Sequence, residues 1–131
     1  RQVGSDIRKL WLKPEPCMTK DDLVLVAKDA EIVGFIAIWC RRDAFVDNLH
    51  VKPAYRSKKI GHILMKKAAG RLVSSGKKRA YLWVFKSNGR AIQFYEELGG
   101  VIKKEADKNI FGHIIPSYKM VWDVISVITS T

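Results

Sequence analysis

Asn48-Leu49-His50-Val51-Lys52-Pro53-Ala54-Tyr55-Arg56-Ser57-Lys58-Lys59-Ile60-Gly61-His62-Ile63-Leu64 reads as the end of an apolar strand, a basic loop with one glycine, and the start of a helix. Backbone N–H groups in the first turn of a helix have no intrahelical partners, and the helix dipole adds partial positive charge there. A loop that enters such a turn carrying Arg56, Lys58 and Lys59 is an anion site, and a phosphate is its natural guest.

Upstream, Leu23–Ala27 and Ile32–Trp39 are compact apolar runs separated by the polar turn Lys28-Asp29-Ala30-Glu31, the pattern of an antiparallel hairpin. Arg41-Arg42-Asp43 turns the chain again into a third strand, Ala44–Val51, which Pro53 ends. Residues 1 to 22 hold Ile7, Leu10 and Trp11 before Lys13-Pro14-Glu15-Pro16, whose prolines stop a short helix and mark an extended link.

Downstream, the period changes from two to about 3.6. Leu64, Ala68 and Leu72 form one helical row and Met65, Ala69 and Val73 the next, with Lys66, Lys67 and Arg71 opposite and Gly76 at the C-terminal end. Ala80–Phe85 is apolar on both faces, as a buried parallel strand requires. Strand, helix and strand make a crossover unit. Asn88 or Ser87 caps a second helix with the stripe Ala91, Phe94, Tyr95 and Leu98, closed by Gly99-Gly100. Val101–Lys103 and Ser117–Ile125 are read as two last strands, joined by a polar loop containing Pro116. The expected class is α/β: a mixed, mostly antiparallel sheet with one parallel strand-helix-strand crossover and helices on both faces.

At 131 residues the chain fits one domain, and a hydrophobic content of 47% excludes a disordered tail. No apolar run approaches the roughly 20 residues that span a bilayer, so no membrane partner is expected. Cys17 and Cys40 stand far apart with no histidine at ligand spacing, which suggests neither a disulfide framework nor a metal site and fits a reducing, cytoplasmic setting. The chain starts at Arg1 without a methionine or a charged-then-apolar leader, so its start reads as a cut or processed boundary. Lys and Arg outnumber Asp and Glu by 24 to 13, a formal charge of +11 that favours anionic partners without choosing among them. The densest basic run coincides with the glycine loop.

Arg56-Ser57-Lys58-Lys59-Ile60-Gly61 resembles the acyl-CoA pyrophosphate loop of the GNAT superfamily of N-acetyltransferases: Arg or Gln, two residues, Gly, one residue, Gly or Ala. Asn88, Ala91, Tyr95, Leu98 and Gly99 stand at the spacing of the family's other signature, Asn-x-x-Ala-x-x-x-Tyr-x-x-Leu-Gly, about one strand later. Order and spacing match from about Leu23 to Ile125. The departures are Lys59 in place of the first glycine, Gly100 in place of the usual Phe or Tyr, and an N-terminus too short for the first strand and helix pair that help build the acceptor pocket. The resemblance implies one GNAT-like domain over 1–131 that uses acetyl-CoA as cosubstrate and no metal.

It further implies that backbone N–H groups of Lys58, Lys59, Ile60, Gly61 and His62, in the loop begun by Arg56 and Ser57, hold the pyrophosphate. The pantetheine arm then pairs with Leu49, His50 and Val51 like an added strand, and Asn88, Ala91 and Tyr95 meet it from the opposing loop and helix. Lys59 is read as tolerated because the backbone there does not need the glycine conformation. Gly61 is read as small because a side chain would fill the phosphate space.

Acetyl transfer to an amine needs a neutral amine, a polarised thioester carbonyl and a proton for the departing thiolate. Periodicity alone makes Tyr95 a core aromatic; the resemblance makes it the general acid near the thioester sulfur. Asp47, alternating onto one strand face with Leu49 and Val51, is the candidate base, with His50 or a water chain as alternatives. Glu96 and Glu97 are by default solvated charges. The expected partners are CoA and a small-molecule or protein amine; nucleic acid is not expected, and a homodimer is left open. Two other readings stand beside this one. The first is a nucleic-acid or ribosome-binding module using Lys58, Lys59, Lys66, Lys67, Arg71 and Lys77-Lys78-Arg79, and the second is a family member that binds CoA without catalysis.

Overall fold

A computed structural model of the chain describes residues 11–12, 22–40 and 42–130. The expected helix before Pro14 lies outside them, apart from β1 (Trp11–Leu12). The apolar runs form β2 (Leu23–Asp29), β3 (Glu31–Cys40) and β4 (Ala44–Val51). A 3-10 turn over Pro53–Lys58 leads into α1 (Ile60–Ser74), followed by β5 (Ala80–Phe85) and α2 (Gly89–Glu97). The chain then makes β6 (Val101–Ile110), β7 (His113–Trp122) and a short α3 (Ser126–Thr129). All seven strands join one sheet in the order β1-β2-β3-β4-β5-β7-β6. Only β4 and β5 run parallel. Among the described residues no helix is long and apolar enough to cross a membrane.

The α1 stripe works as its spacing demands: Ile60, Leu64, Met65, Ala68, Ala69 and Leu72 are buried against Ile36, Ile38, Val46, Leu82 and Val84. Val73, placed in that stripe by the sequence reading, is instead exposed at 42%, because the helix ends one residue later and its last turn rotates past the sheet. Gly34 on β3 lets α1 come close: a Cβ there would lie 3.0 Å from the His50 carbonyl oxygen and 3.3 Å from the Ile60 side chain. The described helices α1, α2 and α3 all pack on this face of the sheet.

Two turns differ from the sequence reading. The polar segment Lys28–Glu31 is mostly strand, with the reversal concentrated at Ala30 (φ 65°) and Asp29 paired with Glu31. The polar loop expected between Lys103 and Ser117 is a long β6–β7 hairpin whose two turn residues, Phe111 (φ 50°) and Gly112 (φ 82°), both take positive φ. Positive φ at both central positions matches the right-handed twist of a tight hairpin. The strand signal was hidden because β6 is an edge strand exposed on nearly all its length, so neither face carries apolar alternation. β7 stops at Trp122, and Ile125 turns back into the core at the start of α3.

Gly100, where the resembled pattern has an aromatic residue, is accounted for by Trp122. The Trp122 indole, 1% exposed, fills the space beside Gly100 and donates from Nε1 to the Leu98 carbonyl at 3.1 Å. A Cβ on Gly100 would sit 2.8 Å from Trp122 Cζ2 and 3.0 Å from the Tyr95 carbonyl oxygen. Gly100→Ala should therefore lower the unfolding free energy by about 1–3 kcal/mol in urea denaturation. Gly70→Ala in α1, where an added methyl meets nothing within 4 Å, should raise it by about 0.5–1 kcal/mol.

Candidate functional site

β4 and β5 pair only at Ala44 with Ala80 and at Phe45 with Tyr81. Beyond these two pairs they diverge. In the β3–β4 ladder Ala37 faces Asn48 and Ile38 faces Val46, so Asp47 is the extra residue of a bulge on β4. A bulge bends its strand and increases the local twist. It also changes parity: Val46 is buried on the helix face, and Leu49 and Val51 regain that face after the bulge, while Asp47 is exposed. Asp47, the extra residue, stands two positions before Leu49 and lines the same gap with it.

The divergence opens a gap of about 250 Å³ between Val46–Leu49 and Leu82–Phe85, closed at its end by Asn88, Ala91 and Tyr95. On the helix face it meets a cleft of about 490 Å³ between the N-termini of α1 and α2. Leu49, Asn88, Ala91 and Tyr95 wall both. The larger cleft brings together Leu49, His50, Val51, Arg56, Lys59, Gly61, His62, Asn88, Ala91 and Tyr95, all singled out in the sequence. Ile60 is not in its wall, because its side chain is buried at 2% beneath the helix. Arg90 and Gln93 were missed, although their helical spacing places them beside Asn88 and Ala91, while Phe94, read as part of the α2 stripe, and Glu97, read by default as a solvated charge, also line the cleft. Asp47 lies on the smaller gap, and His50 on the larger cleft only.

The loop before α1 is held from behind. Tyr55 donates its hydroxyl hydrogen to Asp29 Oδ2 at 3.0 Å, Lys52 Nζ meets Glu31 Oε1 at 2.5 Å, and the Lys52 N–H reaches the Val33 carbonyl at 2.8 Å. The β2–β3 turn thus fixes where the helix starts. Lys52 in turn holds the exposed Glu31 carboxyl below its usual range. The first α1 bond runs from the Ile63 N–H to the Lys59 carbonyl at 3.1 Å, so the N–H groups of Ile60, Gly61 and His62 precede the helical ladder. No acidic residue stands in that first turn, and Arg56, Lys59 and Arg90 are exposed around it. Arg56 also reaches back with Nε toward the Val51 carbonyl at 3.4 Å.

Lys59 takes φ 60° and ψ 24°, the left-handed region. The expectation that this position does not need the glycine conformation is overturned. The residue is at once the C-cap of the 3-10 turn and the N-cap of α1, and the chain changes direction between these two right-handed segments through its positive φ. Gly61 has a packing reason to be small as well: a Cβ there would meet Phe94 Cζ at 3.2 Å and Val51 Cγ2 at 3.9 Å. Its smallness lets α2 approach α1, with Phe94 also edge-on to His62 at 5.0 Å.

Asn88 caps α2 by accepting from the Ala91 N–H at 3.2 Å. That places Tyr95 two turns on, edge-to-face with Phe94 at 5.2 Å and with Trp122 at 6.0 Å. Burial pushes its phenol up from 10.0 to about 12. Glu96 is exposed and outside both walls. Of the basic residues weighed for nucleic acid, Lys67, Arg71 and Lys78 are exposed away from the cleft, and Arg79 is paired with Asp123 at 2.9 Å. Among the described residues no group of three or more His, Cys, Asp or Glu could hold a metal ion.

The sequence model of the acetyltransferase (GNAT) family matches residues 5–100. An uncharacterized N-acetyltransferase of Archaeoglobus fulgidus is 35% identical over 86 residues, 58% of this chain and 57% of that protein. The thialysine N-epsilon-acetyltransferase of Bos taurus is 33% identical over 69 residues, 53% of this chain and 41% of that one. The chain thus spans about half the length of these relatives. A Bacillus anthracis protein described as a streptothricin acetyltransferase, solved with acetyl coenzyme A, superposes with a TM-score of 0.72 at 19% identity, over 80% of this chain and 64% of that one.

Replacing Lys59 separates backbone strain from charge. Lys59→Gly should be more stable than Lys59→Ala by about 1 kcal/mol in urea denaturation, since both lose the ammonium and only glycine relieves the positive φ. For Tyr95, a phenol harder to ionise in the folded state contributes stability fully below pH 10 and loses it as the pH rises toward about 12. In an alkaline titration followed by tyrosinate absorbance, Tyr95→Phe should remove the component that ionises last.

Proposed function

Because this chain belongs to the acetyltransferase (GNAT) family, we propose that it transfers the acetyl group of acetyl-CoA to a primary amine by direct attack in a ternary complex. The observation that carries this reading is the continuity of the two spaces. A cationic, acid-free helix start opens onto the bared edge of β4, and that edge leads into the gap walled by Tyr95. A diphosphate fits the N–H groups of Ile60, Gly61 and His62 with Lys58 and Lys59 before them, while Arg56 and Ser57 complete the loop. An amide-bearing arm suits Leu49, His50 and Val51, whose edge toward β5 has no ladder partner in the described sheet. Asn88 and Ala91 face that edge across the cleft.

In the reaction the amine nitrogen attacks the thioester carbonyl carbon, the C–N bond forms, and the C–S bond breaks with its electron pair on sulfur. The amine gives up a proton and the sulfur gains one. Tyr95, fully protonated at neutral pH, is assigned as donor to the sulfur; its hydroxyl has no hydrogen-bond partner among the described residues. Asp47, exposed at the bulge on the gap, is assigned as acceptor of the amine proton, directly or through water. The acceptor class runs from small molecules to protein amines. An amino-acid-like amine is supported by the partial similarity to a thialysine N-epsilon-acetyltransferase. A reducing, cytoplasmic setting suits a chain whose two cysteines, Cys17 and Cys40, stand far apart in the sequence.

Acetyl-CoA at about 1 mM should raise the melting temperature of the wild type, because ligand binds only the folded state. Gly61→Asp, which adds a carboxylate at the helix start and presses its Cβ against Phe94, should lower stability by about 1–3 kcal/mol and lose that shift. Tyr95→Phe should keep it while turnover falls by about 10²- to 10⁴-fold. Absence of a shift in the wild type refutes the cosubstrate, and unchanged turnover in Tyr95→Phe refutes the proton donor.

A further inference from the structure

Alternation sorts the charges of the sheet. On β5, Leu82 and Val84 enter the core beneath the helices, whereas Tyr81, Trp83 and Phe85 point to the other face. The β6–β7 register puts Lys108 opposite Ile115 and Lys104 opposite Lys119, on that same face, while Glu105 and Asp107 share the helix face with Tyr118 and Pro116. Glu105 is engaged there by Lys86, whose ammonium lies over the Tyr118 ring. The non-helix face of β5, β7 and β6 therefore carries cations and no carboxylate. Lys108 Nζ sits 3.6 Å from the Trp83 ring centroid, and Lys119 Nζ 4.6 Å from that of Tyr81. Among the described residues neither has an ion-pair partner.

Trp83 and Phe85 also wall the smaller gap, whose one carboxylate among the described residues is Asp47. With the larger cleft given to acetyl-CoA, the non-helix face is the side from which an acceptor reaches the gap. There it meets one carboxylate inside the gap and ammonium groups beside it.

We propose that the acceptor carries an anionic group in addition to its amine, and that Lys108, seated on Trp83, is the residue that selects it. The inference rests on the acetyltransferase reading above. The amine enters beside Asp47 and Tyr95, and the acid group meets Lys108, with Lys119 and Lys104 adding to the field. A polycationic amine meets the same lysines as repulsion.

The test compares Nα-acetyl-lysine with its uncharged amide and with spermidine, in a steady-state assay with acetyl-CoA. Wild type should prefer the carboxylate over the amide by about tenfold in kcat/KM, through KM, and use spermidine least. Lys108→Met should bring carboxylate and amide to near parity without moving the KM for acetyl-CoA, and Lys108→Arg should retain the preference. Equal use of carboxylate and amide by wild type, a preference for spermidine, or a preference that survives Lys108→Met overturns the inference. Binding of acetyl-CoA with turnover of none of the amines also overturns it and leaves the cosubstrate reading standing, whereas failure of acetyl-CoA to bind removes the reading beneath it.

Discussion

The parting of β4 from β5 after two residue pairs is the constraint on which the rest of the structure depends. Parallel strands that stay paired offer no edge to a ligand. Here the bulge at Asp47 turns β4 away while β5 remains fully paired on its other side, with all six residues from Ala80 to Phe85 matched to β7. The freed edges cannot close on each other, and side chains from β4, β5 and α2 wall the resulting space instead of filling it. Backbone groups left without a ladder partner keep their hydrogen-bonding capacity for a guest.

Holding that space open requires α1 to start at a fixed height above β4. Gly34 allows the close approach, the Tyr55–Asp29 and Lys52–Glu31 contacts tie the loop to the β2–β3 turn, and Lys59 accepts a left-handed backbone to turn the 3-10 segment into a helix. The lysine keeps a cation at the helix start and carries the strain that a glycine would avoid. A Cβ on the one glycine of the loop, Gly61, would press on Phe94 at 3.2 Å, and its absence lets the two helix N-termini face each other across a narrow cleft.

Much of this was legible in the residues. The hairpin, the crossover, the α1 stripe and the Asn88 cap follow from periodicity and turn chemistry, and most of the cleft wall was named from its two motifs. The β6–β7 hairpin was not, because an exposed edge strand of alternating Lys, Glu and Asp shows no apolar period and reads as a polar loop. Trp122 was also missed as the partner of Gly100. The two are distant in sequence, and only the return of β7 beside β5 brings the indole under the end of α2.

By itself the sequence determined the first hairpin, the strand-helix-strand crossover, the capped α2 and a basic, acid-free turn at the start of α1, because those properties depend on local period, capping and charge. Tertiary structure decided the rest. The extra residue at Asp47 is defined only by its β3 partner, the φ of Lys59 by the two helices it joins, and the burial that raises the Tyr95 phenol by packing that includes the Phe94 and Trp122 rings. The division of β6 into a cationic and an acidic face is written in the alternation, yet which face looks toward the gap depends on strand order, set by packing between residues far apart in the chain.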